Sequence, residues 1–203
     1  MSRLNDRFKR GEPFRDARRL LIACEGEKDE FEYFRYLRTK HRRSSIIIKF
    51  LERVSDSTSH GSPDQVIKSI RHYVASEEFV EGDELWAVID EDRWRDKIPL
   101  AESVCHSESW NISVNKPCFE VWLALHFLEE SEIHETSCKP LKPRIGKLKD
   151  SVSNNNEEFF EYLNSKFSVA FQRASNLGQD SSISTKMHLL VQKIVGDSAT
   201  SEN

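Results

Sequence analysis

No apolar run in this sequence approaches the roughly 18 residues that a membrane-spanning helix needs. The first stretch, Met1 to Arg19, is polar and charged and lacks the apolar core of a signal peptide, so a cytoplasmic protein with no membrane role is expected. Glycine is scarce. The seven glycines are dispersed, and none belongs to a G-x-x-x-x-G-K-S/T loop of the kind that cradles nucleotide phosphates. Cysteine is scattered too: Cys24, Cys105, Cys118 and Cys138 include no C-x-x-C pair. Reduced, mostly buried thiols are expected, and zinc is reachable only through long-range convergence. Positive charge is not in excess either. A formal charge of −4 leaves any contact with nucleic acid to local clusters. No internal repeat is visible, and the one low-complexity tract is the short Asn154-Asn155-Asn156 run.

What is present points to a polar α/β domain. Hydrophobic residues make up 37% and charged residues 32% of 203 positions, enough for one sizeable core with a small appended unit. The most informative stretch is Leu85-Trp86-Ala87-Val88-Ile89, which ends in Asp90-Glu91-Asp92. Its length and bulky, β-branched content suit a buried strand. Ligands of open parallel sheets bind just beyond the strands' carboxyl ends, where these acids fall. Continued extension would aim Asp90 and Asp92 to the same side. Two carboxylates so placed suit a hard divalent cation, magnesium above all. A solvated acidic turn is the competing reading, and the motif alone does not decide between them.

Leu20-Leu21-Ile22-Ala23-Cys24 reads as the first strand and runs into Glu25-Gly26-Glu27. A helix follows over residues 28–37, with Phe31, Phe34 and Leu37 on its apolar face. Gly26 permits a sharp turn. Glu25 thus stands at a strand end, as Asp90 does, while Glu27 suits the helix dipole or the site. A second strand covers residues 45–51. The polar loop after it carries His60, and Ser62-Pro63-Asp64 starts a helix. A further helix after Pro99 leads to a fourth strand, residues 110–114. That strand ends in Asn115-Lys116-Pro117-Cys118-Phe119-Glu120, followed by an apolar helix over residues 121–127. Glu120 interrupts an apolar run and needs a partner, an arginine or a metal. Alternating strands and helices imply a parallel sheet with right-handed crossovers. Glu25, Asp90, Asp92 and Glu120 then gather at one edge.

Beyond residue 128 the character changes. Lys139, Lys142, Arg144, Lys147 and Lys149 occupy a stretch without an acid, and Pro140 and Pro143 are expected to keep its start extended. Both a solvated loop and contact with a phosphate backbone fit it, and Lys116 is placed to hold a flanking phosphate. Amphipathic helices are expected over residues 159–174 and 184–195. The chain divides into a basic arm (1–18), a core (19–128), a basic and helical extension packing on it (129–196) and a polar tail (197–203).

Glu25-Gly26 after the first strand and Asp90-x-Asp92 after a later one resemble the signature of the Toprim domain, shared by topoisomerases, bacterial primases and several nucleases. More specifically, the segments from Ile22 to Lys28, Val88 to Asp92, Asn115 to Phe127 and Thr185 to Val191 resemble the RloB-like family of bacterial Toprim proteins. The likeness runs over residues 18 to 195, and its most specific part is an Asn-Pro-Cys-Phe-Glu segment into which this chain inserts Lys116. It implies a Toprim-like Rossmannoid fold, a four-stranded parallel sheet flanked by helices with a helical C-terminal extension. It also implies Mg2+ or Mn2+ and cleavage of phosphodiester bonds in nucleic acid, with DNA, RNA and a tRNA target all open. The implied setting is anti-phage defence under a partner ATPase. By the same likeness Glu25 is the general acid/base beside the metal, Asp90 and Asp92 are the metal-binding pair, and Glu120 is an acidic position particular to the family. A non-catalytic nucleic-acid-binding or adaptor subunit with the same fold is the alternative, and a homo-oligomer stays open.

Overall fold

The computed structural model describes residues 18–26, 29–41, 46–51, 62–76, 79–80, 82–178 and 181–196. The basic arm before Arg18, Glu27, His60 and the tail after Gly196 lie outside the described residues.

Strands β1 (Arg18–Cys24), β2 (Ile46–Phe50), β3 (Glu84–Asp90) and β4 (Asn111–Asn115) form one sheet. Every pairing is parallel and the order is β2-β1-β3-β4. The helices are α1 (Asp29–Lys40), α2 (Pro63–Val74), α3 (Ile98–Ser107), α4 (Glu120–Ala124), α5 (Cys138–Val152), α6 (Asn156–Ser165), α7 (Phe167–Ser175) and α8 (Met187–Val195). None described is long and apolar enough to cross a membrane. Alternate strand residues serve opposite faces. Leu21, Ala23, Leu85, Ala87 and Ile89 meet α2 and α3. Leu20, Ile22, Trp86 and Val88 meet α1, α4 and the helices that follow. Both faces are covered, which is why these strands read as unbroken apolar runs.

The sheet order locates the site. β1 leads through α1 to one edge, and β3 leads through α3 to the other, so the direction of winding reverses between β1 and β3. A crevice opens beyond the strand ends at such a point. Cys24 and Val88 are register partners across it, which brings Glu25 and Asp90 to its two lips.

Three local expectations are corrected. The buried face of α1 is Glu30, Tyr33, Phe34 and Leu37, while Phe31 is 38% exposed with its ring 5.0 Å from that of Phe50. The basic stretch does not start extended: it is helix α5. Pro140 sits in the first turn, where a backbone N–H has no acceptor within the helix, and Pro143 forfeits one bond in a helix anchored by buried Leu141 and Ile145. The cysteines are not all reduced, because Cys118 and Cys138 are bonded, with α-carbons 5.8 Å apart. They stand just before α4 and at the start of α5, two helices that pack together, a proximity that spacing in the chain does not reveal. Cys24, whose thiol donates to the Gly26 carbonyl at 3.6 Å, and the buried Cys105 take no part in a disulfide.

Candidate metal centre

Glu25 follows β1, Asp90 ends β3 and Asn115 ends β4, so the parallel register sets all three along one edge. The Glu25 carboxylate accepts a hydrogen bond from the Trp94 indole N–H at 2.7 Å and another from the Asp90 backbone N–H at 3.2 Å. Trp94 is itself fixed by the turn after β3, where its backbone N–H donates to the Glu91 carbonyl at 2.7 Å. Asp90 accepts from the Asn115 side-chain amide at 3.2 Å. The Asn115 amide oxygen accepts from the Thr185 hydroxyl at 2.8 Å, and that hydroxyl accepts from the Met187 N–H at 3.1 Å. Asn115 and Thr185 are buried. Lys116 and Ser184 exchange backbone hydrogen bonds of 2.8 and 3.2 Å, which pin the segment before α8 to the end of β4. Asp90 is therefore oriented through Asn115 by a residue next to the last helix.

Two further acids complete the cluster, each only 6% exposed: Glu30 in the first turn of α1 and Glu120 at the start of α4. A β-carbon on Gly26 would lie 1.4 Å from a Glu30 carboxylate oxygen, so the space a side chain would take is the space Glu30 occupies. Glu120 is paired with a lysine rather than an arginine, Lys142 of α5 at 3.5 Å. Burial pushes Glu30 up to about 7, and the Glu120 and Asp29 charges add to the rise. Desolvation first, then the charges of Glu30, Glu120 and Glu25, hold Asp90 well above the usual carboxylate range, against the pull of Asn115. Burial also raises Glu120, with Lys142 opposing it. Glu30 was missed from sequence. Its signal was the 30-33-34-37 spacing, obscured by the phenylalanine at 31.

Asp92 lies in a turn rather than in a continuation of the strand that would align it with Asp90. β3 stops at Asp90, and the exposed turn after it puts Asp92 3.8 Å from Arg93, beside a different hollow shared with Arg95 and Lys116. Among the described residues, Glu25, Asp90 and Asp92 do not bring carboxylate oxygens within 4.8 Å of one another. The group that closes to that distance is Cys118, Glu120 and Cys138.

The chain matches the family model described as RloB-like protein over residues 20–194. It belongs to the RloB-like family. No curated protein and no solved structure matches it.

In this RloB-like chain the predicted basic residues divide. Lys142 and Lys149 line a cleft of about 220 Å³ that opens beside Glu120, with Asp29, Glu32 and Phe159. Arg144 is turned to structural use, donating to the Glu135 carboxylate and to the Glu132 carbonyl, each at 2.8 Å. Lys139 and Lys147 are exposed, and Lys116 is half-buried with its ammonium 3.3 Å from the Ser181 carbonyl. The donors are of the all-oxygen kind that suits a hard divalent cation, two of the four carboxylates are deeply buried, and Lys142 reaches Glu120; among the described residues no three of the four bring ligand oxygens within 4.8 Å of one another, so a cation would have to draw them together.

Crowding of this kind has a measurable sign. The folded-state value of Glu30, about 7, lies above its ordinary 4.5, so the folded protein holds this proton longer than the unfolded chain does. Stability of the metal-free protein is therefore fullest at low pH, as far as this group decides it, and falls as pH rises through about 7. Urea midpoints measured from about pH 5 to 8 in EDTA should decline for the wild type and decline less for Glu30→Gln. Equal slopes would show that neither burial nor the neighbouring charges shift Glu30 in the folded protein.

Proposed function

We propose that this protein is a divalent-metal-dependent nuclease, with Glu25, Glu30, Asp90 and Glu120 at the reacting edge. The observation that carries the proposal is the convergence of these four acids, largely withdrawn from solvent, at the point where the winding of the sheet reverses. A bound Mg2+ or Mn2+ would polarise a phosphate oxygen and stabilise the charge that grows on it. The chain supplies the remainder. Asn115 and Thr185 hold the Asp90 carboxylate in one orientation for binding. Trp94 and the Asp90 amide hold Glu25, to which the family resemblance gives the acid–base role. Asp92, the second metal-binding acid by that resemblance, stands in the neighbouring turn. Lys142 and Lys149 draw backbone phosphates into the cleft, a contact that added salt weakens. The wider setting, anti-phage defence under a partner ATPase, is supported by family membership.

One observation favours a second reading, a nucleic-acid-binding subunit without catalysis: the Glu25 carboxylate already serves the fold through Trp94 and the Asp90 amide. Labelled plasmid, single-stranded DNA and total tRNA, incubated with Mg2+, Mn2+ or EDTA, separate the two. Cutting that EDTA stops supports the nuclease and names its substrate class. Salt-sensitive binding without cutting under either metal supports the binding subunit.

A further inference from the structure

We propose that Cys118, Cys138 and Glu120 form a second metal site, selective for a thiophilic divalent cation of the zinc class and open only when the Cys118–Cys138 bond is reduced. Each residue offers one ligand atom, all three atoms lie within 4.8 Å of one another, and all three residues are buried. Ligand atoms around tetrahedral zinc stand about 3.5–4 Å apart, so once the bond is reduced the two sulfurs part to that spacing and modest side-chain shifts bring Glu120 to it. The ligands come from the start of α4 and the start of α5, two helices packed on each other, which fixes their spacing.

The route in is the cleft that Glu120 lines with Lys142. The Lys142 side chain is 60% exposed and free to swing away when a cation replaces it at Glu120. Sulfur ligands sort the metals: thiolate favours zinc-class ions, whereas the all-oxygen acid cluster favours magnesium or manganese. Glu120 belongs to both sets. A soft ion here therefore withdraws Glu120 from the acid cluster, a consequence that rests on the proposed function, whereas the binding itself does not.

The chemistry balances with a dithiol as co-reactant. Its two thiols give two electrons and two protons to the Cys118–Cys138 bond and leave as their own disulfide. Metal binding then releases both cysteine protons to solvent, the Glu120 carboxylate adds the third ligand and water takes the fourth position.

The full chain is reduced with dithiothreitol, freed of reductant under anaerobic conditions and titrated with Co2+, whose thiolate bonds absorb in the near ultraviolet. One equivalent should develop the band in the reduced wild type, and excess Mg2+ should leave it intact. The oxidised protein and Cys138→Ser should lose the band, while Glu120→Gln should keep it with weaker binding. Far-ultraviolet circular dichroism that matches the wild type establishes that Cys138→Ser is folded. If the serine variant does not fold, the oxidised wild type is the control. No band in the reduced wild type overturns the site. A band that survives in the oxidised protein or in folded Cys138→Ser overturns it as well, by moving the metal to Cys24 or Cys105. Absorbance does not depend on cleavage, so failure here and failure of the nuclease reading are separate results.

Discussion

Exchanging Asp90 for asparagine is expected to lower metal-dependent cleavage by about 100- to 1,000-fold, the scale on which loss of one charge-stabilising group is felt in other active sites. Asparagine keeps the shape, and its amide oxygen can still accept from Asn115, so the end of β3 has no reason to move. What disappears is a carboxyl that burial first, and then the charges of Glu30, Glu120 and Glu25, hold well above its usual range. Removing it relieves repulsion in the metal-free protein, whose melting temperature near neutral pH should hold or rise. Initial cleavage rates and thermal melts of the same preparations test both halves. Unchanged cleavage would remove Asp90 from the reaction. A collapsed melting temperature would make it a structural residue instead.

Truncating Trp122 to alanine should have the largest effect on stability, about 3–5 kcal/mol. Trp122 is fully buried, and its ring stands 4.7 Å from that of His126 and 6.3 Å from that of Phe167. The indole N–H donates to the Tyr33 hydroxyl at 3.0 Å, a buried pair linking α4 to α1. Alanine leaves a cavity between these helices and strips the buried hydroxyl of its donor, so two penalties add. Domains of this size are commonly stable by about 5–15 kcal/mol, which makes the loss a large fraction of the whole. Urea titration reads it directly. A loss below about 1 kcal/mol would mean that the surrounding helices collapse into the gap.

The sheet was legible because burial on both faces leaves an unmistakable trace: Leu20 to Ala23 and Leu85 to Ile89 are short, unbroken apolar runs, every residue of them buried. Strand ends follow from strand positions, so Glu25 and Asp90 could be placed before any coordinates. Glu30 was hidden by one residue of helical phase, since Phe31 claims the apolar face by composition and Tyr33 holds it in fact. The pairing of Thr185 with Asn115 spans 70 residues and leaves no periodic mark. Lys142 and Arg144 look alike in a basic run, yet two steps along a helix turn one toward Glu120 and the other toward Glu135. The prolines misled for a related reason. In isolation they discourage a helix, but Leu141 and Ile145, packed against the core, outweigh them.

The bridge between Lys116 and Ser184, with Thr185 beside it, also fixes when the cluster comes into being. On the ribosome, β1 and β3 emerge long before the residues that orient Asp90. Until Thr185 has left the exit tunnel, Asn115 lacks the partner that sets its amide, and Asp90 lacks the donor that orients it. For a protein proposed to cut nucleic acid, with tRNA among its candidate substrates, that delay spares the machinery still translating it.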